Sequence, residues 1–264
     1  MRVSLIITTY NRPDALLLVL RSIEGQITLP YEVIIADDGS TNETKEVVTS
    51  FQEKSDIRVI HSWQEDSGFR AAKSRNKAIA KATGKYIILI DGDMILHPEF
   101  INDHINQAQP SFFVQGSRVL LTEDKTNQTL DQQKINFSLL SNGLQNRKNA
   151  FHSNILSTLF SNKRNYLRGI RTCNMAFYKQ DCININGFNN DFEGWGREDT
   201  EFITRLLNSG INRKNVRFNA IQFHLWHNEI IRDSLKKNNE ILQDTINNHS
   251  QWCNNGIDSY LKCQ

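Results

Sequence analysis

Three acidic clusters and one pair of histidines are the residues of this chain best suited to chemistry. Asp91-Gly92-Asp93 is an acidic turn whose carboxylates offer the oxygen ligands that Mg²⁺ or Mn²⁺ takes together with phosphate. Many strands end in Asp-Gly, so this turn carries weight only with further ligands nearby. His224 and His227, three positions apart, are such candidates, and a set mixing carboxylate with imidazole suits Mn²⁺ better than Ca²⁺. Glu198-Asp199 follows directly on Gly194-Trp195-Gly196-Arg197. Acids are favoured at a helix N-terminus, which accounts for one carboxylate but not for a glycine-flanked tryptophan beside them. An indole face stacks on the C–H faces of a sugar while a neighbouring carboxylate accepts hydroxyl protons, and such a carboxylate is also a candidate general base. Asp37-Asp38 is the third acidic cluster.

Cations complete the set. Lys73 and Arg75 lie in the segment from Gly68 to Asn76, which opens a helical stretch. They are either solvated or aimed at a nucleotide diphosphate, whose oxygens match an arginine fork. There is no G-x-x-x-x-G-K-[ST], which excludes a P-loop NTPase, and no G-x-G-x-x-G after the first apolar run, which argues against a dinucleotide-binding Rossmann enzyme. Between residues 132 and 180 there is no acid, only Lys134, Arg147, Lys148, Lys163, Arg164, Arg168, Arg171 and Lys179. That stretch is either a solvated, loop-rich insertion or a surface for a phosphorylated acceptor or anionic lipid headgroups. Over all 264 residues, 31 Lys+Arg face 29 Asp+Glu, a net charge of +2. A dedicated nucleic-acid binder would carry a strong basic excess, so no nucleic-acid partner is expected.

The elements that must position these residues alternate strand and helix over the first hundred positions. Strand patterns at residues 3–9, 31–36, 57–61 and 86–90 are separated by helical ones. The first helix, over 15–23, is opened by Pro13. The second starts at a Ser40/Glu43 capping box and runs to about Phe51. The third, over 70–82, is closed by Gly84. A fourth runs from Pro98 to about Gln107. This order predicts an α/β fold with a mostly parallel central sheet flanked by helices, in which ligands bind beyond the carboxyl ends of the strands. Thr8-Thr9-Tyr10-Asn11, Asp37-Asp38 and Asp91-Gly92-Asp93 all occupy such ends and should share one crevice. The second half is less regular. It has strand patterns at 112–121, 173–178 and 216–223, a helix over 198–207 and a polar helix over 228–247. A tail with Trp252 and Tyr260 is expected to dock back on the body.

Taken in order, Ile6-Ile7-Thr8-Thr9-Tyr10-Asn11-Arg12, Asp37-Asp38-Gly39-Ser40-Thr41, the Arg75-Asn76 helix, Asp91-Gly92-Asp93 and Gly194-Trp195-Gly196-Arg197-Glu198-Asp199 resemble the family 2 glycosyltransferases of the GT-A fold, over residues 3–227. Each piece is weak alone; the ordered set is specific. The later half resembles the group that includes bacterial chondroitin-type polymerases and shares a carboxyl-terminal motif with β-1,4-galactosyltransferases. The resemblance implies a single GT-A domain over 1–230, with a Rossmann-like nucleotide-sugar-binding half (1–115) and an acceptor-binding half (116–230), followed by a helical tail (231–264). It implies metal-dependent, inverting transfer from a nucleotide-diphospho-sugar, usually UDP-linked, to a hydroxyl of a saccharide or glycolipid acceptor. The implied setting is bacterial surface polysaccharide, capsule or lipo-oligosaccharide synthesis.

Carried over residue by residue, the resemblance puts Thr8, Tyr10 and Arg12 in the nucleotide pocket. Asp37 or Asp38 would meet the base, Arg75 the nucleotide or diphosphate, and Asp91, with Gly92 beside it, the ribose and donor sugar. Asp93 of the D-x-D motif would bind Mn²⁺ or Mg²⁺. Glu198 would hold sugar hydroxyls and Asp199 would be the catalytic base, with Gly194, Trp195 and Arg197 on the acceptor side. The galactosyltransferases complete the metal site with a methionine and a histidine three residues apart; here those positions are His224 and His227. They also have glycine where Arg197 stands, so Arg197 bears on acceptor choice. The alternatives are a retaining transferase on the same fold and a non-catalytic nucleotide-sugar-binding subunit. Asp93, Glu198 and Asp199 together speak against the latter.

The apolar start is too short for a signal peptide and lacks a small-residue cleavage site. No apolar run approaches the roughly 20 residues that cross a bilayer. A cytoplasmic protein is expected, with the basic stretch compatible with attachment at the inner face of the plasma membrane. Cys173, Cys182, Cys253 and Cys263 form no C-x-x-C pair, which argues against a zinc knuckle, and without an export signal they are expected to be reduced.

Overall fold

The computed structural model describes residues 1–228 and 234–261. The chain opens with β1 (Val3–Thr9), α1 (Pro13–Glu24), β2 (Glu32–Asp37), α2 (Asn42–Lys54), β3 (Arg58–Trp63), α3 (Ala71–Lys81) and β4 (Tyr86–Asp91). These four strands run parallel in the order β3-β2-β1-β4. β1, β2 and β4 are buried on both faces, which is why they read as apolar runs without alternation. Successive side chains point to opposite faces. Leu5 and Ile7 therefore pack with Leu16, Val19 and Leu20 of α1, while Ile6 packs with Ala72 and Ile79 of α3.

The second half continues through β5 (Met94–Leu96), α4 (Phe100–Gln107), β6 (Phe112–Gln115), β7 (Ser117–Leu121), α5 (Glu123–Gln132), β8 (Leu144–Gln145), α6 (Asn154–Phe160), β9 (Asn162–Lys163) and β10 (Asn174–Tyr178). α7 (Lys179–Asn184), α8 (Glu198–Asn208), β11 (Asn212–Asn215), β12 (Ile221–His224), α9 (Leu235–Asn247) and α10 (Asp258–Leu261) follow. The large sheet extends from β4 through β10, β6, β11 and β9. β10 lies antiparallel to both β4 and β6, so the sheet is parallel in its first half and mixed as a whole. A second sheet, β5-β12-β7-β8, packs Val119, Ile221 and Phe223 against Ala15 and Leu18 of α1. No helix among the described residues is long and apolar enough to cross a membrane.

Several expected boundaries move, each for a local reason. The strand expected over 112–121 is two strands in different sheets, separated by Gly116. A Cβ there would lie 2.6 Å from both Ala220 O and Asn174 Oδ1, so only glycine lets the chain change sheets at this point. The strand expected over 216–223 shrinks to β12. Phe218 and Ala220 take positive φ (63° and 50°), and buried Asp103 fixes the turn by accepting from Asn219 Nδ2 and the Ala220 N–H. Ser40 does not cap α2: its Oγ accepts the Asn11 N–H at 2.9 Å, and Thr41 is the N-cap. α3 ends at Ala82 rather than at Gly84, whose N–H instead donates to Ser4 Oγ.

α9 packs on α8, and Ile257 with Tyr260 joins the core beneath α3. Trp252 stays half-exposed, so it is not the residue that docks. Cys173, Cys182 and Cys253 are buried and unbridged. Residues 229–233 of the expected polar helix, and the end of the tail with Cys263, lie outside the described residues.

Candidate active site

Strand register brings the acidic clusters of the first half together. Thr8 pairs with both Ala36 and Asp91, and Thr9 with Asp37. α8 enters the crevice from the other half, with Glu198 and Asp199 in its first turn. Arg75 on α3 joins the two. Its Nε donates to Thr8 Oγ1 at 3.1 Å, Nη1 to Glu198 Oε1 at 3.4 Å and Asp199 Oδ1 at 3.2 Å, and Nη2 to Asp91 Oδ1 at 3.4 Å. Burial would lower the Arg75 pKa, but Asp199, Asp91 and Glu198 outweigh it and raise it. The guanidinium is thus held by protein carboxylates and Thr8. Burial pushes the Glu198 carboxyl up to about 7, with the Asp199 charge adding and Arg75 opposing. Burial likewise pushes Asp91 up to about 6, against Arg75 and with Asp93 adding.

Asp199 has a second clamp that no motif announces. Thr172, just before β10, donates its N–H to Oδ2 at 2.9 Å and its hydroxyl to Oδ1 at 2.7 Å. The Asp199 side chain is 24% exposed against 10% for Glu198. Asp199 is therefore the better placed of the two to meet an incoming hydroxyl.

At the end of β4, Gly92 donates its N–H to Thr8 O at 2.7 Å. A Cβ at Gly92 would lie 2.9 Å from Thr9 Oγ1, so glycine lets the turn close against β1. Beyond it, Asp93 Oδ2 lies 3.4 Å from His224 Nε2 and 3.5 Å from His227 Nε2. One ligand atom from each of the three residues falls within 4.8 Å of the others. His227 Nδ1 contacts Asn228 O at 2.7 Å. A carbonyl only accepts, so Nδ1 carries a proton and Nε2 is turned toward Asp93, an orientation of the ring that suits metal binding. Asp93 Oδ1 is buried with no hydrogen-bond partner among the described residues. Burial pushes the Asp93 carboxyl up, but His224, His227 and Arg12 hold it below the usual range. One carboxylate and two imidazoles with an unused buried oxygen fit a divalent cation of the Mn²⁺ type. Arg12, the N-cap of α1, acts on Asp93 electrostatically and has a buried Nη1 without a hydrogen-bond partner among the described residues.

Tyr10, Asp38, Gly68 and Phe69 line a pocket. Tyr10 is half-exposed, and its hydroxyl donates to Asp66. Asp38 accepts from Gln64 Nε2 at 2.6 Å and from the Arg70 N–H at 2.7 Å, and burial raises its pKa. Asp37 does not line this pocket. Its wholly buried carboxylate accepts from the Gly39 and Ser40 N–H groups and pairs with His61, so it holds the loop after β2 together.

Gly194, at φ +70°, donates its N–H to Phe69 O at 2.9 Å and so ties the tryptophan loop to the wall of that pocket. The indole of Trp195 is partly exposed. Arg197 Nε donates to Asn239 Oδ1 of α9 at 2.7 Å. Phe69 and Thr172 are the site residues that sequence reasoning passes over. Phe69, between a glycine and a helix start, carried a weak signal; Thr172 carried none.

A Rossmann-like half, a mixed sheet and a crevice with carboxylates from both halves define a GT-A glycosyltransferase fold. A solved structure with this fold, TarS 1–349 of S. aureus in complex with UDP, aligns with a TM-score of 0.63 at 17% identity, over 94% of this chain and 66% of that one. The mannosyltransferase PcManGT of Pyrobaculum calidifontis, in complex with GDP-Man and Mn²⁺, aligns with a TM-score of 0.58 at 18% identity, over 85% and 56%. The family model "Glycosyl transferase family 2" matches residues 4–184, and that described as "N-terminal domain of galactosyltransferase" matches residues 155–228. The chain belongs to glycosyl transferase family 2. Among curated relatives, the hyaluronan synthase of Pasteurella multocida is 28% identical over 81% of this chain, which spans only 23% of that protein's length.

Proposed function

We propose that this enzyme moves a sugar, with inversion, from a nucleotide-diphospho-sugar of the UDP type to a hydroxyl of a saccharide or glycolipid acceptor in bacterial surface polysaccharide synthesis. The observation that carries the reading is the meeting of two carboxylate sets in one crevice. Asp199 is clamped by Thr172 and Arg75, and Arg75 also holds Asp91, two residues before the Asp93–His224–His227 cluster.

A sugar hydroxyl is a weak nucleophile, so Asp199 takes its proton as it attacks the anomeric carbon. Glu198 orients sugar hydroxyls, and Trp195 offers a stacking face on the acceptor side. Tyr10, Asp38 and Phe69 take the nucleoside, Thr8 and Asp91 border the donor sugar, and Arg12 takes the diphosphate. Asp93, His224 and His227 would hold Mn²⁺ or Mg²⁺, which supplies Lewis-acid neutralisation of the charge on the departing diphosphate. One displacement needs no covalent intermediate and converts an α-linked donor to a β-glycoside. Residues 1–230 would form the catalytic domain, with 231–264 as its helical tail.

The test is a nucleotide-release assay over UDP-, GDP- and dTDP-sugars with Mn²⁺, followed by the anomeric configuration of the product. Release from a UDP-sugar, lost in EDTA and restored by Mn²⁺, with a β-linked product, is expected. An α-glycoside would refute inversion. Asp199→Asn should bind donor and not transfer; unchanged turnover would refute the base, and a wild-type protein that binds donor without ever transferring would be the non-catalytic subunit.

We place the protein at the cytoplasmic face of the plasma membrane. Ile155, Leu159 and Phe160 of α6 are half or more exposed, and the rings of Phe160 and Phe151 pack edge-on against Phe218. Lys163, Arg164 and Arg217 lie close by in the chain. An apolar patch with basic neighbours suits an anionic interface. Vesicles with phosphatidylglycerol should sediment the protein and neutral ones should not, and Leu159→Glu should abolish the difference.

A further inference from the structure

Two of the buried arginines of this protein, Arg75 and Arg205, are matched by acids, while Arg213 is held by backbone carbonyls. Arg75 meets three carboxylates, and Arg205 meets Glu201 through two bonds of 2.7 Å. Two arginines beside Asp199 are not. Arg171 immediately precedes Thr172, which clamps Asp199 through both its N–H and its hydroxyl. Arg118 on β7 brings Nη1 to 3.9 Å from the Sγ of Cys173, the next residue. Both cations therefore converge on the Thr172–Cys173 step that positions the proposed base. Neither forms an ion pair or hydrogen bond with a carboxylate among the described residues. Around Arg171 the chain offers none nearby in sequence, since residues 132–180 contain no acid. Arg171 is exposed and Arg118 half-buried; partial burial, then the charge of Arg118, lowers the Arg171 pKa, as expected of two like charges facing one another without a counter-ion.

The buried Cys173 thiol marks how close the opposing groups are. Burial pushes it up to about 12, and Asp91, Arg118, Asp199 and Arg171 all act on it. Arg118 also shares a sheet face with the strand that carries His224: Arg118 pairs in register with Gln222, and Leu120 with His224. The Gln222 amide donates to Cys173 O at 2.7 Å, so β7, β12 and the Thr172 loop are held as one rigid wall.

We propose that Arg118 and Arg171 form an anion subsite for the acceptor, taking a carboxylate or phosphate carried on the acceptor close to the hydroxyl that is glycosylated. The assignment rests on the proposed role of Asp199, because the hydroxyl that Asp199 deprotonates belongs to the acceptor. The donor's own charges have separate partners in Arg12 and the Asp93 cluster. An arginine pair takes either anion through paired N–H donors, so the two sources share one chemistry.

The test measures binding directly, so that it stands apart from turnover. The full-length protein, loaded with UDP and Mn²⁺, is titrated with four disaccharides: one ending in a uronic acid, its methyl ester, its neutral hexose counterpart, and one ending in a hexose phosphate. Wild type should bind one or both anionic ligands about 10- to 100-fold more tightly than the ester and the neutral sugar. The uronate and phosphate arms identify which anion is used. Arg118→Gln combined with Arg171→Gln should erase that preference while leaving the Kd for UDP unchanged, and Arg171→Lys should keep part of it. Equal binding of charged and neutral disaccharides by wild type, which needs no variant to fold, overturns the proposal. So does a double variant that loses UDP affinity and keeps its acceptor preference, since the pair would then serve the donor. Failure of Asp199→Asn to stop transfer would overturn the base assignment without touching this binding result.

Discussion

Arg75 shows how one residue can tie several carboxylates of a site together. A guanidinium with fixed donor directions answers Asp91, Glu198 and Asp199 at once and still reaches Thr8. An ammonium on a flexible stem is a point charge and cannot span these positions. Removing one partner from a buried ionic cluster costs about 3–5 kcal/mol, because the remaining charges stay desolvated. Arg75→Met should therefore lower the unfolding free energy by about 3 kcal/mol and abolish transfer. Arg75→Lys should recover part of the stability and little of the activity. Urea denaturation checks the first and nucleotide release the second. A methionine variant as stable as wild type would show that the carboxylates do not need this cation.

Among the elements, α8 carries the proposed base, and its entry is strained. Gly194 and Gly196 take positive φ, and so does Arg197, at 78°. A left-handed conformation costs an L-residue roughly 1 kcal/mol relative to glycine. Arg197→Gly and Arg197→Ala lose the same hydrogen bond to Asn239, and they differ only in the Cβ. The glycine variant should be the more stable by about 1 kcal/mol, measured by thermal or urea unfolding. Equal stability would mean that the turn relaxes in both. How much of this could be read beforehand follows from where each contact arises. β1, β2 and β4 were legible because burial on both faces leaves an uninterrupted apolar signature. The acidic clusters were legible because parallel strands deliver their carboxyl ends to one crevice. The split at Gly116 was not, since residues 112–121 are uniformly strand-like and only the approach of Ala220 and Asn174 forces the break. The contacts of Thr172, Arg118 and Arg75 were equally hidden. Each is defined by a partner from another part of the chain, and residue type alone does not disclose which partner a side chain will meet.

At the scale of the whole molecule, the two sheets are joined through a buried histidine, and that junction titrates. His104 on α4 contacts Asn174 Oδ1 at 2.9 Å, while Asn174 Nδ2 donates to Ser117 O and Ala220 O, one at the start of β7 and the other just before β12. Burial lowers the His104 pKa to about 4, with the bond to Asn174 opposing. His97, stacked on His152, is also lowered to about 4, by burial and then by His152. A histidine with a depressed folded-state pKa stabilises the fold fully above the unfolded value near 6.5. Below that, the unfolded chain takes up a proton that the folded chain refuses, and stability is lost as pH falls through the folded value. The raised carboxyls of Glu198 and Asp91 act in the opposite direction. The fold prefers them protonated, so their contribution declines as pH rises toward 7 and 6 respectively. The opposing slopes overlap, and the stability of wild type alone will not separate them. The difference between wild type and His104→Gln will, because both proteins share the carboxyls and His97. Glutamine keeps an amide donor for Asn174 but cannot titrate. At pH 7.5 wild type should be the more stable, and its advantage should shrink by about 3 kcal/mol by pH 4. Urea unfolding of both proteins across that range measures the gap, and a gap independent of pH would show that His104 protonates freely in the folded state.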